Sequence, residues 1–278
     1  MAAKNKSLLV LLIFFCILSS CITIEVKNYD LATPLLLEDS VIRIVLVSDL
    51  HSTIYGDNQS VLIDKIKEQN PDLIILSGDI FDDVTPDLGA ELLLSNINNM
   101  APIFYVTGNH EYTSNHIQKI RKLIESYNVT LLSDTYVKIN IKGNEIILAG
   151  IEDPDKKYFE TPEYDQNSSM ENAFRELDNV KLYKILIAHR PENIKNYSKF
   201  SFDLVLSGHT HGGQVRIPGI MNGLYAPNQG LFPKYAGGQY EYKGVTLIVC
   251  RGLSLTYPRF PRIFDPPELV VIILKSDK

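Results

Sequence analysis

The sequence predicts an α/β fold, a β-sandwich flanked by helices, and two observations carry that reading. Short β-branched runs alternate with helical apolar spacing through the first half, and the second half is richer in strands and turns. A third observation concerns chemistry. Five short polar motifs, which hold five of the six histidines, each stand just past the end of an apolar run.

Val41–Val47 (VIRIVLV) reads as the first strand of the body, and Ser60–Gln69 follows with Val61, Leu62, Ile63 and Ile66 at helical spacing. Pro71 breaks that helix, and Leu73–Leu76 is the next strand. Leu88–Met100 is a second helix, Ile103–Val106 a third strand and His116–Tyr127 a third helix. This alternation implies right-handed crossovers and a largely parallel sheet. Val137–Ile141 and Glu145–Ala149 flank Lys142-Gly143-Asn144, a hairpin signal. Glu171–Leu177 reads as helix, Tyr183–Ala188 and Leu204–Leu206 as strands, and Gly212–Leu231, rich in Gly, Pro and Asn, as a long loop. Val245–Cys250 and Leu269–Leu274 complete the strands.

Composition bounds what surrounds this domain. The chain has 278 residues, 45% hydrophobic and 22% charged, with a net charge of −6. The charge and the lack of a basic run argue against nucleic acid as a partner. Three cysteines, Cys16, Cys21 and Cys250, offer neither a disulfide framework nor thiolate zinc spacing. Residues 1–24 read as a leader: Lys4 and Lys6 precede an apolar run from Leu8 to Leu18, then Ser19-Ser20-Cys21. The ending Leu18-Ser19-Ser20-Cys21 resembles a bacterial lipobox, which would leave Cys21 as a lipidated N-terminus. The alternatives are an uncleaved anchor, since Ser7 to Ile24 is about 18 residues, the lower limit for a span, and an ordinary cleaved signal. The first two tether the protein to the outer face of the cytoplasmic membrane. Residues 25–40 are expected to be a linker and 41–278 the functional domain.

The motifs are Asp49-Leu50-His51, Gly78-Asp79-Ile80-Phe81-Asp82, Gly108-Asn109-His110-Glu111, Ala188-His189-Arg190 and Gly208-His209-Thr210-His211. Carboxylate, imidazole and amide oxygen suit hard or borderline divalent ions. A pair of ions about 3.5 to 4 Å apart can hold the attacking and leaving oxygens of a phosphate, and such a pair needs a bridging carboxylate. Asp79 is the candidate bridge, with Gly78 permitting a sharp turn before it. In Asp-x-His and His-x-His the two side chains are expected to leave a strand end on one side. Asn109 adds an oxygen without charge, and His110 beside it is left to act on substrate. Taken singly, each motif is more often a turn, a surface histidine or a packed one; five in order, all at strand ends, are not coincidence.

Together these motifs resemble the calcineurin-like metallophosphoesterase superfamily over about Val41 to Leu274. Leu204-Val-Leu-Ser-Gly-His-Thr-His-Gly-Gly-Gln214 and Gly223-Leu-Tyr-Ala-Pro-Asn-Gln-Gly230 resemble its exported or membrane-associated bacterial branch, typified by YkuE and YaeI. The resemblance implies a four-layer α/β/β/α sandwich with mixed sheets. It implies that Asp49, His51, Asp79 and His211 hold one ion and Asp79, Asn109, His189 and His209 a second, with manganese expected and iron or zinc also admitted. It further implies that His110 acts on the leaving or phosphoryl oxygen and that Asp82 orients the catalytic group. One departure lies downstream: after Arg251-Gly252-Leu253 the family pattern leads one to expect an Asn-containing turn, and this chain has Ser254-Leu-Thr-Tyr-Pro-Arg-Phe-Pro-Arg262.

The function expected is a dinuclear-metal hydrolase of phosphate esters, a phosphodiesterase or pyrophosphatase working as a monomer on a lipid-linked or envelope substrate. Activity like that of a UDP-2,3-diacylglucosamine diphosphatase falls within this range. The alternative is a metal-containing, non-catalytic envelope binding lipoprotein, which would have no need of His110. Leu224, Tyr225, Leu231, Phe232, Tyr235, Tyr257 and Phe260 make the late loops apolar, either for a lipid substrate or to pack the sandwich edge. Arg190, Lys234, Arg251, Arg259 and Arg262 are the candidate phosphate contacts.

Overall fold

In the computed structural model, residues 23–255 and 261–278 are described. Residues 1–22 of the expected leader, with Cys16 and Cys21, and Tyr257, Arg259 and Phe260 of the late loop lie outside them; Ile24, the leader's expected last residue, is packed in the core of the fold. Two six-stranded sheets pack face to face. The first runs β1(Glu25–Thr33), β14(Glu268–Ser276), β2(Val41–Val47), β3(Leu73–Leu76), β4(Ile103–Tyr105), β5(Thr130–Leu131). The second runs β12(Gly238–Tyr242), β13(Val245–Val249), β9(Leu204–Ser207), β8(Tyr183–Ile187), β7(Asn144–Gly150), β6(Thr135–Ile141). Both are mixed. In the first, β2 to β5 are parallel and β14 is antiparallel to β2. In the second, β7, β8, β9 and β13 are parallel, with antiparallel β6 and β12 at the edges. A two-stranded hairpin, β10(Tyr225–Ala226) with β11(Gly230–Leu231), stands apart.

The sequence explains why the inner strands carry no polar face. Along β2, Val45 and Val47 point into the layer beneath the helices, while Ile42, Ile44 and Leu46 point between the sheets. On β14, Leu269 and Val271 alternate with Val270, Ile272 and Leu274 in the same way. A strand covered on both sides needs apolar residues at every position, and the alternation then sorts them between two cores. Helices α1(Ser60–Glu68), α2(Leu88–Ile97) and α4(Ile117–Ser126) cover the first sheet with Leu62, Ile66, Leu93, Leu94, Ile97, Ile120 and Ile124. Helix α6(Gln166–Phe174) and the short α7(Ile194–Tyr197) cover the second with Met170, Phe174, Ile194 and Tyr197. The short helices α3(Asn109–Thr113) and α5(Lys156–Phe159) sit at the strand ends. The expected four-layer sandwich is the observed one.

The linker expected over residues 25–40 is corrected. Glu25–Thr33 is a full edge strand, paired residue for residue with β14. An edge strand can leave much of its surface in water, and of its nine residues only Tyr29 and Thr33 are buried, so the apolar pattern that marks the inner strands is missing. The helix expected over Glu171–Leu177 begins earlier, at Gln166, where Asp165 caps it by accepting from the Ser168 amide at 2.8 Å.

Candidate metal centre at the strand ends

The chain places all five motifs at one end of the two sheets. Backbone bonds tie the loops to one another: the Asp49, His51 and Ser52 amides donate to the carbonyls of Gly78, Asp79 and Ile80, and the Gly208 amide to His189. Asp-x-His and His-x-His leave their strands on a left-handed backbone rather than as a continuation of the strand. Asp49, His51, Asp79, His209 and His211 all have positive φ, between 47° and 69°. Each such residue costs about 1–2 kcal/mol without compensation, so the turns are held by their surroundings rather than by local preference. Gly78 has φ 92°, and a Cβ there would lie 2.6 Å from His189 Nδ1. Gly208 is required for space instead: a Cβ would stand 1.8 Å from Ser48 Oγ and 2.2 Å from Asp49 Oδ2.

Among the described residues four groups of ligand atoms result, two of them Asp49 with His51 and His211, and Asp79 with His189 and His209; the other two, His51 with Asp79 and His110, and Asp82 with Asp83 and His110, share His110. Asp79 Oδ2 lies between the first two, 3.1 Å from His189 Nε2 and 3.7 Å from His51 Nε2. His211 Nε2 is 3.6 Å from Asp49 Oδ1. His189 Nδ1 donates to the Ser77 carbonyl at 2.8 Å, which turns Nε2 inward. His209 Nε2 donates to Asn228 Oδ1 at 2.7 Å, leaving Nδ1 inward, 3.2 Å from His189 Nε2.

Electrostatics show what this cluster lacks. Burial pushes the Asp49 carboxyl up, and the Asp79 charge adds to it. Burial acts on Asp79 in the same sense, but His189, His110 and His51 outweigh it and hold that carboxyl well below the usual range. For His189, burial lowers the pKa, yet Asp79, Asp49 and Asp153 raise it to about 10. Without metal, therefore, a proton is held between His189 and Asp79, where a cation would otherwise neutralise the carboxylate. Burial keeps His209 and His211 neutral, well below the ordinary histidine range. The buried His51 Nε2 and Asn109 Oδ1 make no hydrogen bond, an arrangement that ordinarily costs about 1–3 kcal/mol per group. Carboxylates, inward imidazole nitrogens and an orphaned amide oxygen, with no sulfur, fit divalent ions. Asp49, His51, Asp79 and His211 could hold one, and Asp79, Asn109, His189 and His209 a second.

His110 lies at the rim, its side chain 24% exposed. Its Nδ1 is 3.0 Å from Asp83 Oδ1 and 3.1 Å from Asp82 Oδ1, which leaves Nε2 for the cleft. Burial lowers its pKa, but Asp79, Asp82 and Asp83 raise it to about 10. Asp82 also meets His51 Nδ1 at 3.0 Å, so one carboxylate orients both rings. The cleft, about 240 Å³, is lined by Asp79, Asn109, His110, Asp155, Arg190, His209, His211, Pro227 and Asn228.

Several residues that support this site escaped the sequence reading. Glu111, fully buried, accepts from the amides of Gly108, Asp79, Ile80 and Phe81, stitching the Asp79 turn to the Asn109 turn. Its place in Gly108-Asn109-His110-Glu111 was the available signal. Asp83 and Asp153 had none, because their partners are remote in sequence, while Asn228 stood in the quoted stretch Gly223–Gly230 with no role given to it. Of the candidate phosphate contacts, Arg190 is engaged by Asp153 and Asp155, and Arg251 and Arg262 by Asp265. Only Arg190 reaches the cleft among the described residues.

Residues 42–213, more than half of the chain, match the calcineurin-like phosphoesterase family. An uncharacterised metallophosphoesterase of Campylobacter jejuni is 31% identical over 97% of this chain and 68% of its own length. YkuE of Bacillus subtilis, also an uncharacterised metallophosphoesterase, is 30% identical over 84% of this chain and 79% of its own. The chain spans about half the length of the Helicobacter pylori metallophosphoesterases it matches. In structure it is similar to the NAD nucleotidase of Haemophilus influenzae, with a TM-score of 0.52 at 15% identity over 78% of this chain and 46% of that one, a likeness of fold alone. By these matches, and with its ligand atoms clustered as described, the chain belongs to the calcineurin-like phosphoesterase family, whose members depend on two metal ions, and is a metallophosphoesterase.

Proposed function

We propose that this protein hydrolyses phosphodiesters or diphosphates rather than terminal phosphate groups. The charge around the cleft carries that reading. Asp79 and Asp155 line it, Asp82 and Asp83 stand behind His110 at its rim, and Arg190, its one Lys or Arg side chain among the described residues, is already held by two carboxylates. A terminal phosphate brings two negative charges and finds no free Lys or Arg side chain there, only the His110 imidazole at the rim; a diester or an inner diphosphate phosphorus brings about one.

When bound, a pair of divalent ions supplies Lewis-acid activation of water and of the phosphoryl oxygens. The chain's own residues then divide the remaining work. Asp79 joins the two ligand groups, and Asp49, His51, Asn109, His189, His209 and His211 fix their geometry. His110, held by Asp82 and Asp83 with its proton retained near neutral pH, donates from Nε2 to the departing oxygen. The apolar leader supports an exported, tethered enzyme and so an envelope or lipid-linked substrate. The test is a panel with the manganese-loaded full chain: bis-p-nitrophenyl phosphate and a nucleotide-diphosphate lipid should turn over well and p-nitrophenyl phosphate poorly. A clear preference for the monoester would sink the charge argument.

A further inference from the structure

We propose that the catalytic end of the molecule docks on a lipid bilayer through the loops of residues 216–221 and 230–232 and through Phe264. Ile220 is 84% exposed, Phe232 67% and Leu231 66%, and Ile217 and Phe264 are exposed beside them. Scattered apolar side chains on a surface, such as Val84, need no explanation, but five on loops bonded to one another do. These loops are joined. The Arg216 amide and Nε donate to the carbonyls of Ile263 and Phe264, the Leu224 amide donates to Gly213 and the Phe232 amide to Leu224. They follow the turn that carries His209 and His211, and Pro227 and Asn228 between them line the cleft, so the apolar group lies at the catalytic end. Phe232 and Phe264 also have positive φ, 55° and 52°, a conformation that bulky residues rarely adopt. Neither is buried in return, so the strain serves to display an aromatic ring.

The place where the leader meets the fold selects a bilayer as the occupant. The Glu25 amide donates to Pro267, three residues from Phe264. Glu25 pairs with Glu268, and β14 pairs with β2 so that Glu268 falls beside Ser48, next to Asp49. The chain thus enters the fold at the catalytic end, four residues after Cys21, where the lipidated N-terminus is expected. A tether so short holds that end against the membrane in which the leader resides. Arg216 lies on these loops, matching anionic headgroups, and an interfacial surface combines apolar and basic side chains.

This rests on the tethering part of the proposed function and not on the reaction. The chain contains no tryptophan, so a single indole reports its own surroundings. The full chain would be prepared as Ile220→Trp, Phe232→Trp and Leu37→Trp and bound to vesicles of phosphatidylethanolamine and phosphatidylglycerol in equal parts, with or without bromine on the acyl chains. Leu37, 57% exposed, is the control: its amide meets Asn144 at the far end of the sandwich, the length of β1 away. Brominated lipid should reduce the emission of the first two about twofold and leave the third unchanged. Turnover of bis-p-nitrophenyl phosphate by each variant shows that it is folded. Vesicle-bound protein with no quenching at residues 220 and 232, or equal quenching at 37, overturns the docking face alone. Failure to bind vesicles overturns the tether and the face together. A dimer formed through residues 220 and 232 in place of quenching assigns the face to a second copy and also overturns it.

Discussion

The turns at the strand ends and the loops beyond Gly212 lie side by side, and they are built on opposite terms. In the turns the backbone amides are bonded across from motif to motif, glycines stand where a methyl group would strike a carboxylate or an imidazole, and five ligand residues take a left-handed backbone. In the loops, Ile220, Leu231 and Phe232 face solvent with little packed against them. The first region shows that the metal geometry is imposed by cross-links between motifs far apart in sequence. The second shows that the molecule does not need these apolar side chains for its own stability. That contrast can be tested by substitution in each region.

The largest effect is expected at Asp79, the group shared by both ligand sets. Asp79→Asn should lower kcat/KM on bis-p-nitrophenyl phosphate about 10³-fold or more, equivalent to about 4 kcal/mol of transition-state stabilisation. Metal analysis should show loss of at least one equivalent, and a variant with full metal content and normal turnover would show that Asp79 is no bridge. Next comes Glu111, which touches no ligand group but holds four amides. Glu111→Ala should destabilise the protein by about 3 kcal/mol or more, read as a lower thermal midpoint at unchanged metal concentration. A shift no larger than that of an ordinary surface substitution would show that these amides find other partners.

Proton competition should be smaller and graded. The proton shared by His189 and Asp79 must leave before metal enters, and burial and the carboxylates place the His189 pKa at about 10. The raised value stabilises the metal-free fold fully below about 6.5, the ordinary histidine value, and that contribution fades as pH rises through about 10. Metal affinity runs the other way and should rise about tenfold per pH unit below about 10. Titration calorimetry in buffers of different ionisation enthalpy would check it; zero proton release at pH 7 would contradict the arrangement. The smallest effect is expected in the loops. Ile220→Ser should alter stability by no more than about 0.5 kcal/mol and leave turnover of the soluble diester unchanged; a large loss would mean that the loop is part of the packed structure after all.

The legibility of the fold follows the same division. Val41–Val47, Leu73–Leu76 and Leu204–Ser207 were readable because a strand covered on both faces must be apolar throughout. Glu25–Thr33 was not, since an edge strand makes weak demands on composition. His110 and Asp82 were readable from their motifs, but that one carboxylate serves both His110 and His51 was not.

By itself the sequence determined the chemistry: which donors exist, that they are nitrogen and oxygen, and that each follows a strand, because ligand identity and strand period are local properties. Tertiary structure alone decided that Asp79 lies between two ligand groups, that Asn228 and Ser77 choose the inward nitrogens of His209 and His189, and that β1 begins at the catalytic end. Each of these depends on the pairing of segments that are distant along the chain, and strand order is set by packing two apolar sheets together, which no short stretch of sequence encodes.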